Sequence, residues 1–283
     1  MPKNPVVYGT LFVVATPIGH MEDITLRAIR TLKEVSLIAA EDTRHTRKLL
    51  ARYEIGTRLT AYHDHNKEKR TPELLKKLKS GNAIALVTDA GTPSISDPGY
   101  YLVRAAIQEA VPVVPIPGSS ALVAALSVSG LPTDSFVFVG FSPRKSVKRQ
   151  QILQGLKQER RTLVFYESPK RLLGFMREMK QAMGDRSVVV ARELTKIHEE
   201  IIRGSLTHVM ETLGSRPSLK GEYTLLVEGF KGDGEFDQTQ LLNDLKRMCS
   251  ETDQPLSVVA KELSRKYALP RKFVYQEGLK LKK

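Results

Sequence analysis

The sequence predicts an α/β protein with two α/β domains and a small helical unit at the C-terminal end. In the first third of the chain, short apolar runs alternate with amphipathic stretches of helical period. In the middle third, strand patterns follow one another with fewer helices between them. Beyond a polar segment at 231–235, only helical patterns remain. We therefore expect domains over residues 1–118 and 119–231, and a helical unit over 240–283.

The first domain is expected to contain a largely parallel sheet, because alternation of strands and helices is typical of βαβ units. Gly81 ends one of its helices and leads into the next strand. The predicted strands are 10–16, 36–41, 83–87 and 111–117, and the predicted helices are 23–35, 43–52, 71–79 and 100–110.

The second domain is expected to contain a mixed sheet and to join the first near Gly118. Its predicted helix covers 119–129, and its predicted strands cover 135–141, 162–167, 187–193, 199–203 and 222–227. The last predicted helices cover 255–266 and 271–282. The break between these two helices, at 268–270, is typical of a helix-turn-helix-like unit.

Composition narrows the class of protein. The chain has 283 residues, 41% hydrophobic and 27% charged, and its apolar runs are of strand length, too short to span a membrane. No signal peptide is evident in the first ten residues. The single Cys249 excludes an intramolecular disulfide, and a cytoplasmic location fits this composition.

The net charge of +13 predicts a polyanionic partner. Nucleic acid is favoured over a membrane surface, because no basic amphipathic anchor is evident. Basic residues are concentrated in two stretches of the chain, and the second lies beyond Lys261. The first, which we call the basic cluster, surrounds a single acidic residue, Glu159, and comprises Arg144, Lys145, Lys148, Arg149, Lys157, Arg160 and Arg161.

A dense loop follows the apolar strand at 83–87, within the sequence LVTDAGTPSISDPG at 86–99. We call residues 89–99 the central loop. Its glycines and prolines hold the backbone in defined turns, and its small side chains let a ligand approach backbone N–H and C=O groups. Ligands of open α/β sheets bind at this end of the strands. A ligand-binding loop is therefore favoured over a purely structural turn.

The usual phosphate-binding sequences G-x-G-x-x-G and G-x-x-x-x-G-K-[ST] are absent. Polar loops instead follow several predicted strands, at 16–20, 41–44, 89–99 and 117–121. Because the carboxyl ends of parallel strands lie at one edge of a sheet, these loops are expected to converge on a cleft.

The blocks TPIG, AEDTRHT, HDHN, DAGTPSISDPG and PGSSA, in this order, closely resemble the tetrapyrrole methylase superfamily. Within it, the chain resembles the ribosomal RNA small subunit methyltransferase I group over about its first 230 residues. The segments ARELTK at 191–196 and GEY at 221–223 match blocks of the family's second domain.

This resemblance implies a homodimer with S-adenosylmethionine bound between two α/β domains. It implies 2′-O-methylation of a cytidine ribose in the decoding region of 16S ribosomal RNA, with the small ribosomal subunit as partner. It places the cofactor on Pro17, Gly19, Asp89, Ala90, Gly91, Pro93, Ile95, Ser96, Asp97, Ser119, Ser120 and Ala121. Tetrapyrrole-making relatives carry Gly-Gly-Asp-Pro where this chain has AGTP at 90–93, which disfavours a corrin or porphyrin substrate.

Methyl transfer to a ribose hydroxyl is an in-line displacement that requires no metal, but the hydroxyl must be oriented and its proton accepted. The candidate catalytic residues are Asp42, Arg44, His65, Glu193 and Lys196. His63 and His65 lack a third ligand at a recognisable spacing, so no metal is predicted.

Other interpretations of these residues and of the whole chain stay open. Asp42 precedes a helix and could serve as its cap, and Arg44 could be either a phosphate contact or a solvated helix charge. The alternative functions are a small-molecule tetrapyrrole methyltransferase and a non-enzymatic nucleic-acid-binding protein that uses the terminal helices.

Overall fold

A computed structural model describes residues 9–232, 238–251, 254–267 and 269–281. Most of the N-terminal segment considered for a signal peptide, residues 233–235 of the polar segment, residue 268 of the helix break and residue 282 lie outside the described residues. The described residues up to Gly229 form one compact unit, and those from Phe230 onward form a second. No helix among the described residues is both long and apolar enough to span a membrane.

The first sheet has five strands, all parallel, in the order β3-β2-β4-β1-β5. They are β1 (Leu11–Val14), β2 (Leu37–Ala40), β3 (Leu59–Ala61), β4 (Ile84–Val87) and β5 (Val113–Ile116). Buried aliphatic side chains on β1, β2 and β4 pack on helices on both faces of the sheet, as a parallel sheet requires. The surrounding helices are α1 (Leu26–Glu34), α2 (Thr43–Arg52), α3 (Lys67–Lys79) and α4 (Gly99–Gln108).

The second sheet is mixed, in the order β6-β7-β10-β8-β9, and only the β6–β7 pair is parallel. Its strands are β6 (Phe136–Phe141), β7 (Thr162–Glu167), β8 (Ser187–Arg192), β9 (Glu200–Ser205) and β10 (Tyr223–Val227). One face packs on α6 (Ser146–Gly155), α7 (Pro169–Met183) and α8 (Leu206–Gly214). The core of this face contains Phe165, whose ring meets Phe175 edge to face at 5.2 Å.

The other face of the second sheet is covered by α5 (Ala121–Ser129). Ala125 and Leu126 of this helix are buried against Val164, Val189 and Leu226. The helix that follows Gly118 in sequence therefore packs on the second sheet. The domain boundaries predicted at 118/119 and near 231–240 remain predictions.

The C-terminal unit consists of α9 (Gln238–Glu251), α10 (Leu256–Lys266) and α11 (Arg271–Lys280). Leucine and valine side chains from all three helices form its core, among them Leu245, Leu256 and Val274. At Gly278 α11 comes close to α10, and a Cβ there would lie 2.5 Å from Leu256 Cδ1, so a larger residue would have to displace the Leu256 side chain.

The predicted fold class is confirmed, and the differences concern individual elements. The sequence pattern did not predict β3, which is only three residues long, and it predicted α3 to begin four residues later than it does. No helix was predicted at α6, which forms in the basic cluster with little segregation of apolar from polar side chains. No bounds were predicted for α7 and α8 either, although both are amphipathic. A short 3-10 turn at Met21–Asp23 precedes α1, so the helix begins after its cap Thr25 instead of at Asp23.

Candidate functional site

A cavity of about 470 Å³ lies between the carboxyl edge of the first sheet and the ends of β6, β7 and β10 in the second. This volume is in the range of small-molecule sites. The loops after β1, β2, β4 and β5 all contribute to its wall, as parallel strands place them at one edge. Eight of the twelve residues predicted to bind the cofactor line it: Asp89, Ala90, Gly91, Ile95, Ser96, Asp97, Ser120 and Ala121.

The other four predicted cofactor residues lie beside or beneath this cavity. Pro17 and Gly19 line an adjoining pocket of about 170 Å³ together with Asp89 and Ala90. Pro93, within the central loop, is buried and does not line the cavity. The Ser119 hydroxyl donates to the carbonyl of Asp23 at 3.1 Å, outside the cavity wall.

A pair of backbone hydrogen bonds fixes the central loop. Thr16 N–H donates to Gly91 O at 2.9 Å, and Gly91 N–H donates to Thr16 O at 3.1 Å. Gly91 has φ +81°, whereas a Cβ at this position would meet Ile18 Cγ2 at an ordinary 3.5 Å. Glycine is therefore required here for its backbone conformation and not for lack of space.

Non-glycine residues with positive φ occur on both sides of the cavity. Ser94 and Ser96 of the central loop have φ of 73° and 67°, and Glu193 and Thr195 have φ of 50° and 64°. Such residues are uncommon, and they concentrate where surrounding structure holds a loop in a functional conformation. The two loops are therefore held in strained conformations by their packing.

Carboxylates line the first-sheet side of the cavity. The Thr88 hydroxyl donates to Glu41 Oε2 at 2.6 Å, and the backbone N–H of Asp42 donates to Asp89 Oδ1 at 3.1 Å. Burial, reinforced by the charge of Glu41, raises the pKa of Asp89. Burial raises the pKa of Asp97 to about 7; a hydrogen bond with Thr88 opposes this shift, and the nearby carboxylates of Glu41, Asp89 and Asp64 add to it.

On the second-sheet side, Lys196 is held between two carboxylates. Its Nζ lies 2.9 Å from Glu193 Oε1 and 3.0 Å from Glu222 Oε2. Burial lowers the pKa of Lys196, but the two hydrogen bonds outweigh burial and the net pKa is raised. Lys196 is therefore a cation at neutral pH and cannot accept a proton there.

The Lys196 loop also requires glycine in the loop after β1. A Cβ at Gly19 would lie 2.5 Å from Lys196 Cγ and 2.7 Å from Thr195 Oγ1. Lys196 and Glu222 thereby line the pocket that contains Pro17 and Gly19. The structure thus brings Glu193 and Lys196 to the border of the predicted cofactor site.

None of the five predicted catalytic residues lines the cavity itself, and Asp42, Arg44 and His65 also lie outside the adjoining pocket. Asp42 caps α2, with Oδ1 accepting from Arg44 N–H at 2.8 Å, and its ion pair with Arg44 lowers the pKa of Asp42 to about 2. The Arg44 side chain is 85% exposed. His65 is exposed, and its ring lies 6.0 Å from that of His63. Among the described residues, no group of three His, Cys, Asp or Glu side chains is arranged to hold a metal ion.

Glu41 lies in the loop 41–44, which was predicted to reach the cleft, although Glu41 was not named as a site residue. Three further cavity residues were not predicted: Phe141, Tyr166 and Glu167. Tyr166 lies at the end of β7, and its hydroxyl accepts from Leu122 N–H at 3.1 Å. Its position next to the central loop depends on the packing of the two sheets, which no local pattern encodes.

Comparison with known proteins tests the resemblance. A family profile described as Tetrapyrrole (Corrin/Porphyrin) Methylases matches residues 10–210. A protein named ribosomal RNA small subunit methyltransferase I, from Halalkalibacterium halodurans, is 53% identical over 221 residues, covering 78% of this chain and 76% of its own length. One of the same name from Synechocystis sp. is 47% identical, covering 96% of this chain and 98% of its own. The chain belongs to the tetrapyrrole methylase family, in its ribosomal RNA small subunit methyltransferase I group.

Solved structures of the tetrapyrrole methylase family share the fold. Uroporphyrin-III C-methyl transferase from Thermus thermophilus, in complex with S-adenyl homocysteine, superimposes with a TM-score of 0.56 and 21% identity. The superposition covers 77% of this chain and 97% of that structure. The family and the fold class predicted from the sequence are therefore confirmed.

The raised pKa of Asp97 predicts a pH-dependent stability. Between about pH 4 and pH 7, folded Asp97 retains a proton that the unfolded chain releases, so raising the pH through this window favours unfolding. Asp97→Asn, which is neutral throughout, should become more stable than the wild type as pH rises. The expected gain at pH 8 is about 1–2 kcal/mol, reduced from the full shift because the side chain still contacts water.

The measurement is the free energy of unfolding by urea at several pH values for the wild type and Asp97→Asn. The exposed Asp134→Asn is the matched control, and its difference from the wild type should stay constant with pH. A constant difference for Asp97→Asn as well would contradict the burial of a protonated Asp97.

Proposed function

We propose that this protein transfers a methyl group from S-adenosylmethionine to a ribose 2′-hydroxyl, that of a cytidine in the decoding region of 16S ribosomal RNA. The observation that carries this proposal is the cavity, which eight of the twelve predicted cofactor residues line. The names of the relatives, which are ribosomal RNA small subunit methyltransferases, support the substrate class.

The cavity has the chemistry that S-adenosylmethionine requires. The sulfonium of S-adenosylmethionine is a cation, and Glu41, Asp89 and Asp97 provide carboxyl groups on one wall of the cavity. Aliphatic side chains of the cavity, such as Ile18, Ile95 and Leu194, suit the apolar part of the cofactor. Gly91 has no side chain to obstruct the backbone groups of the central loop. When bound, S-adenosylmethionine supplies an electrophilic methyl group.

A bulky side chain at the N-terminal end of α5 should test this cofactor assignment. Ala121 lines the cavity and begins a regular helix, so Ala121→Trp fills the space without backbone strain. We expect it to weaken S-adenosylmethionine binding at least about a hundredfold by calorimetry, because a tryptophan side chain occupies the space of the ligand.

Val123→Trp is the matched control, because Val123 lies on the same helix and is exposed. It should bind S-adenosylmethionine as the wild type does. Wild-type affinity in a folded Ala121→Trp protein would exclude this cavity as the cofactor site.

The five predicted catalytic residues have different positions relative to the cavity. Glu193 and Lys196 border the cofactor pockets, where they can orient the ribose and offer a fixed cation. Arg44, in the first turn of α2, and His65, in the turn before α3, are exposed at the same edge of the first sheet, where a substrate as large as RNA can reach them. We propose phosphate contact for Arg44, positioned by Asp42, and proton acceptance for His65.

The basic cluster divides into two classes that the sequence does not distinguish. Arg149 is only 16% exposed, pairs with Glu178 and donates to the carbonyls of Pro143 and Arg144 at 3.0 and 3.2 Å. Arg149 therefore has a structural role, in which it joins the turn at 143–144 to α7. Arg144, Lys145 and Lys148 are exposed, and their side chains have no partner within the described part of the chain. We propose that these three contact RNA phosphates.

Reversing Arg144, Lys145 and Lys148 to Glu should weaken binding to small ribosomal subunits and reduce its salt dependence. Each lost phosphate contact removes about 0.7–0.9 from the slope of log K against log salt, because fewer counterions are released. Binding of S-adenosylmethionine should be unchanged.

The control variant reverses Lys33, Lys76 and Lys77, which lie near the C-terminal ends of α1 and α3 at the opposite edge of the first sheet. It changes the net charge equally. If both triple variants weaken binding equally, overall charge and not this surface attracts the RNA.

The proposed activity is tested by mapping 2′-O-methyl groups in small-subunit ribosomal RNA from cells with and without this protein. One ribose should lose its methyl group in its absence and regain it when purified protein and S-adenosylmethionine are added. If no ribose position changes, the proposed function is wrong.

Tetrapyrrole methylation is the second candidate, because solved neighbours include uroporphyrin methyltransferases. Their identity to this chain is near 20%, so the likeness extends to the fold alone. The basic surface and Thr92, at the position of an acid in tetrapyrrole-making relatives, favour RNA.

The remaining parts of the proposal concern assembly and location. We propose that the protein is a homodimer in the cytoplasm, as its family resemblance and its single cysteine indicate. The C-terminal unit carries exposed Arg271, Lys272 and Lys280, which suit docking on RNA.

A further inference from the structure

We propose that Phe141 is the platform on which the substrate nucleotide stacks its base, so that Phe141 positions the ribose in the cavity. This inference rests on the proposed function, because it presumes an RNA substrate. Phe141 ends β6 and lines the cavity, yet its side chain is 56% exposed. A large apolar ring left exposed at a cavity mouth is suited to contact a ligand.

The ring of Phe141 is supported from behind. It lies 5.6 Å from the ring of Tyr166, which in turn meets Phe138 edge to face at 5.0 Å. The Tyr166 hydroxyl is fixed by the hydrogen bond from Leu122 N–H. A rigid aromatic surface offers stacking energy at little cost in conformational entropy.

The chain that follows Phe141 places the exposed cations beside this platform. Arg171 donates to Ser142 O at 2.8 Å and pairs with the buried Glu167, while Arg149 donates to the carbonyls of Pro143 and Arg144. The main chain of this turn is therefore fixed at both ends, and Arg144, Lys145 and Lys148 project from it.

The N-terminus of α6 adds donors for an anion at the same place. Lys145 is the N-cap residue, and no side chain caps the helix. The amide groups of the first turn and the surrounding cations together suit a phosphate. An apolar ring and a turn suited to phosphate therefore lie within seven residues of each other. Together they suit an unstacked nucleotide, with its base on the ring and its phosphate at the turn.

A nucleotide whose ribose enters the cavity needs a surface that holds its base. A nucleotide within a folded RNA must leave its stack for its ribose to enter a protein cavity, and the unstacked base is commonly stacked on an aromatic side chain. The ring and the turn belong to the second sheet, whereas Glu41, Asp89 and Asp97 follow strands of the first sheet. The base is therefore offered an aromatic surface, and the sulfonium is offered carboxyl groups, by different elements of the same cavity.

The test compares Phe141→Ala with the wild type, using small ribosomal subunits and S-adenosylmethionine. We expect kcat/KM to fall roughly ten- to a hundredfold, as for loss of one base–aromatic stack. The affinity for S-adenosylmethionine by calorimetry and the molecular mass by light scattering should be unchanged. Phe141→Tyr and Phe141→Trp should restore most of the activity, because they keep the aromatic face.

Phe136→Ala is the matched control, since Phe136 is 40% exposed at the other end of β6 and does not line the cavity. It should keep wild-type kcat/KM. Equal activity of Phe141→Ala and wild type would overturn the inference while leaving the proposed function intact, whereas an inactive wild type would overturn the function itself. A loss in Phe141→Ala matched by weaker S-adenosylmethionine binding or by a change in mass would also overturn the stacking role.

Discussion

Two backbone hydrogen bonds between Thr16 and Gly91 tie the loop after β1 to the central loop, and the geometry of the cavity follows from them. β1 and β4 are neighbours in a parallel sheet, so their loops leave the sheet side by side. The left-handed conformation of Gly91 lets the loops pair in antiparallel sense beyond the sheet edge. This pairing places Ile18 at the cavity and Gly19 against the Lys196 loop.

Charge is distributed with opposite signs inside and outside this site. Carboxyl groups of Glu41, Asp89 and Asp97 line the cavity, whereas the chain as a whole carries +13 and presents cations on the turn after β6. The two signs suit different ligands, because an acidic wall favours a cation such as a sulfonium and a basic rim favours phosphates. Burial, with a smaller contribution from the neighbouring acids, raises the pKa of Asp97 to about 7, so the cavity contains less net negative charge than its composition indicates.

Local patterns predicted most of the fold and much of the candidate site. Alternating strand and helix signals indicated the parallel sheet, and the position of polar loops after strands identified the central loop and Ser120–Ala121. The three-residue β3 and the weakly amphipathic α6 give no strong periodic signal and were missed. The amphipathic α7 and α8 were also left without predicted bounds. Contacts distant in sequence were beyond any local pattern. Arg149 resembles its basic neighbours in sequence and is distinguished by its ion pair with Glu178, 29 residues away, and by the carbonyl groups it binds.

The turn after β6 is held by arginine side chains that donate hydrogen bonds to its main-chain carbonyl groups. Arg171 and Arg149 donate hydrogen bonds to carbonyl groups of this turn. Because every residue type has a carbonyl group, the path of the turn does not depend on the side chains at positions 144, 145 and 148. These positions are consequently free to diverge during evolution without loss of folding. Under the proposed function, substrate preference can then change by mutation at this rim while the scaffold around the cavity stays constant.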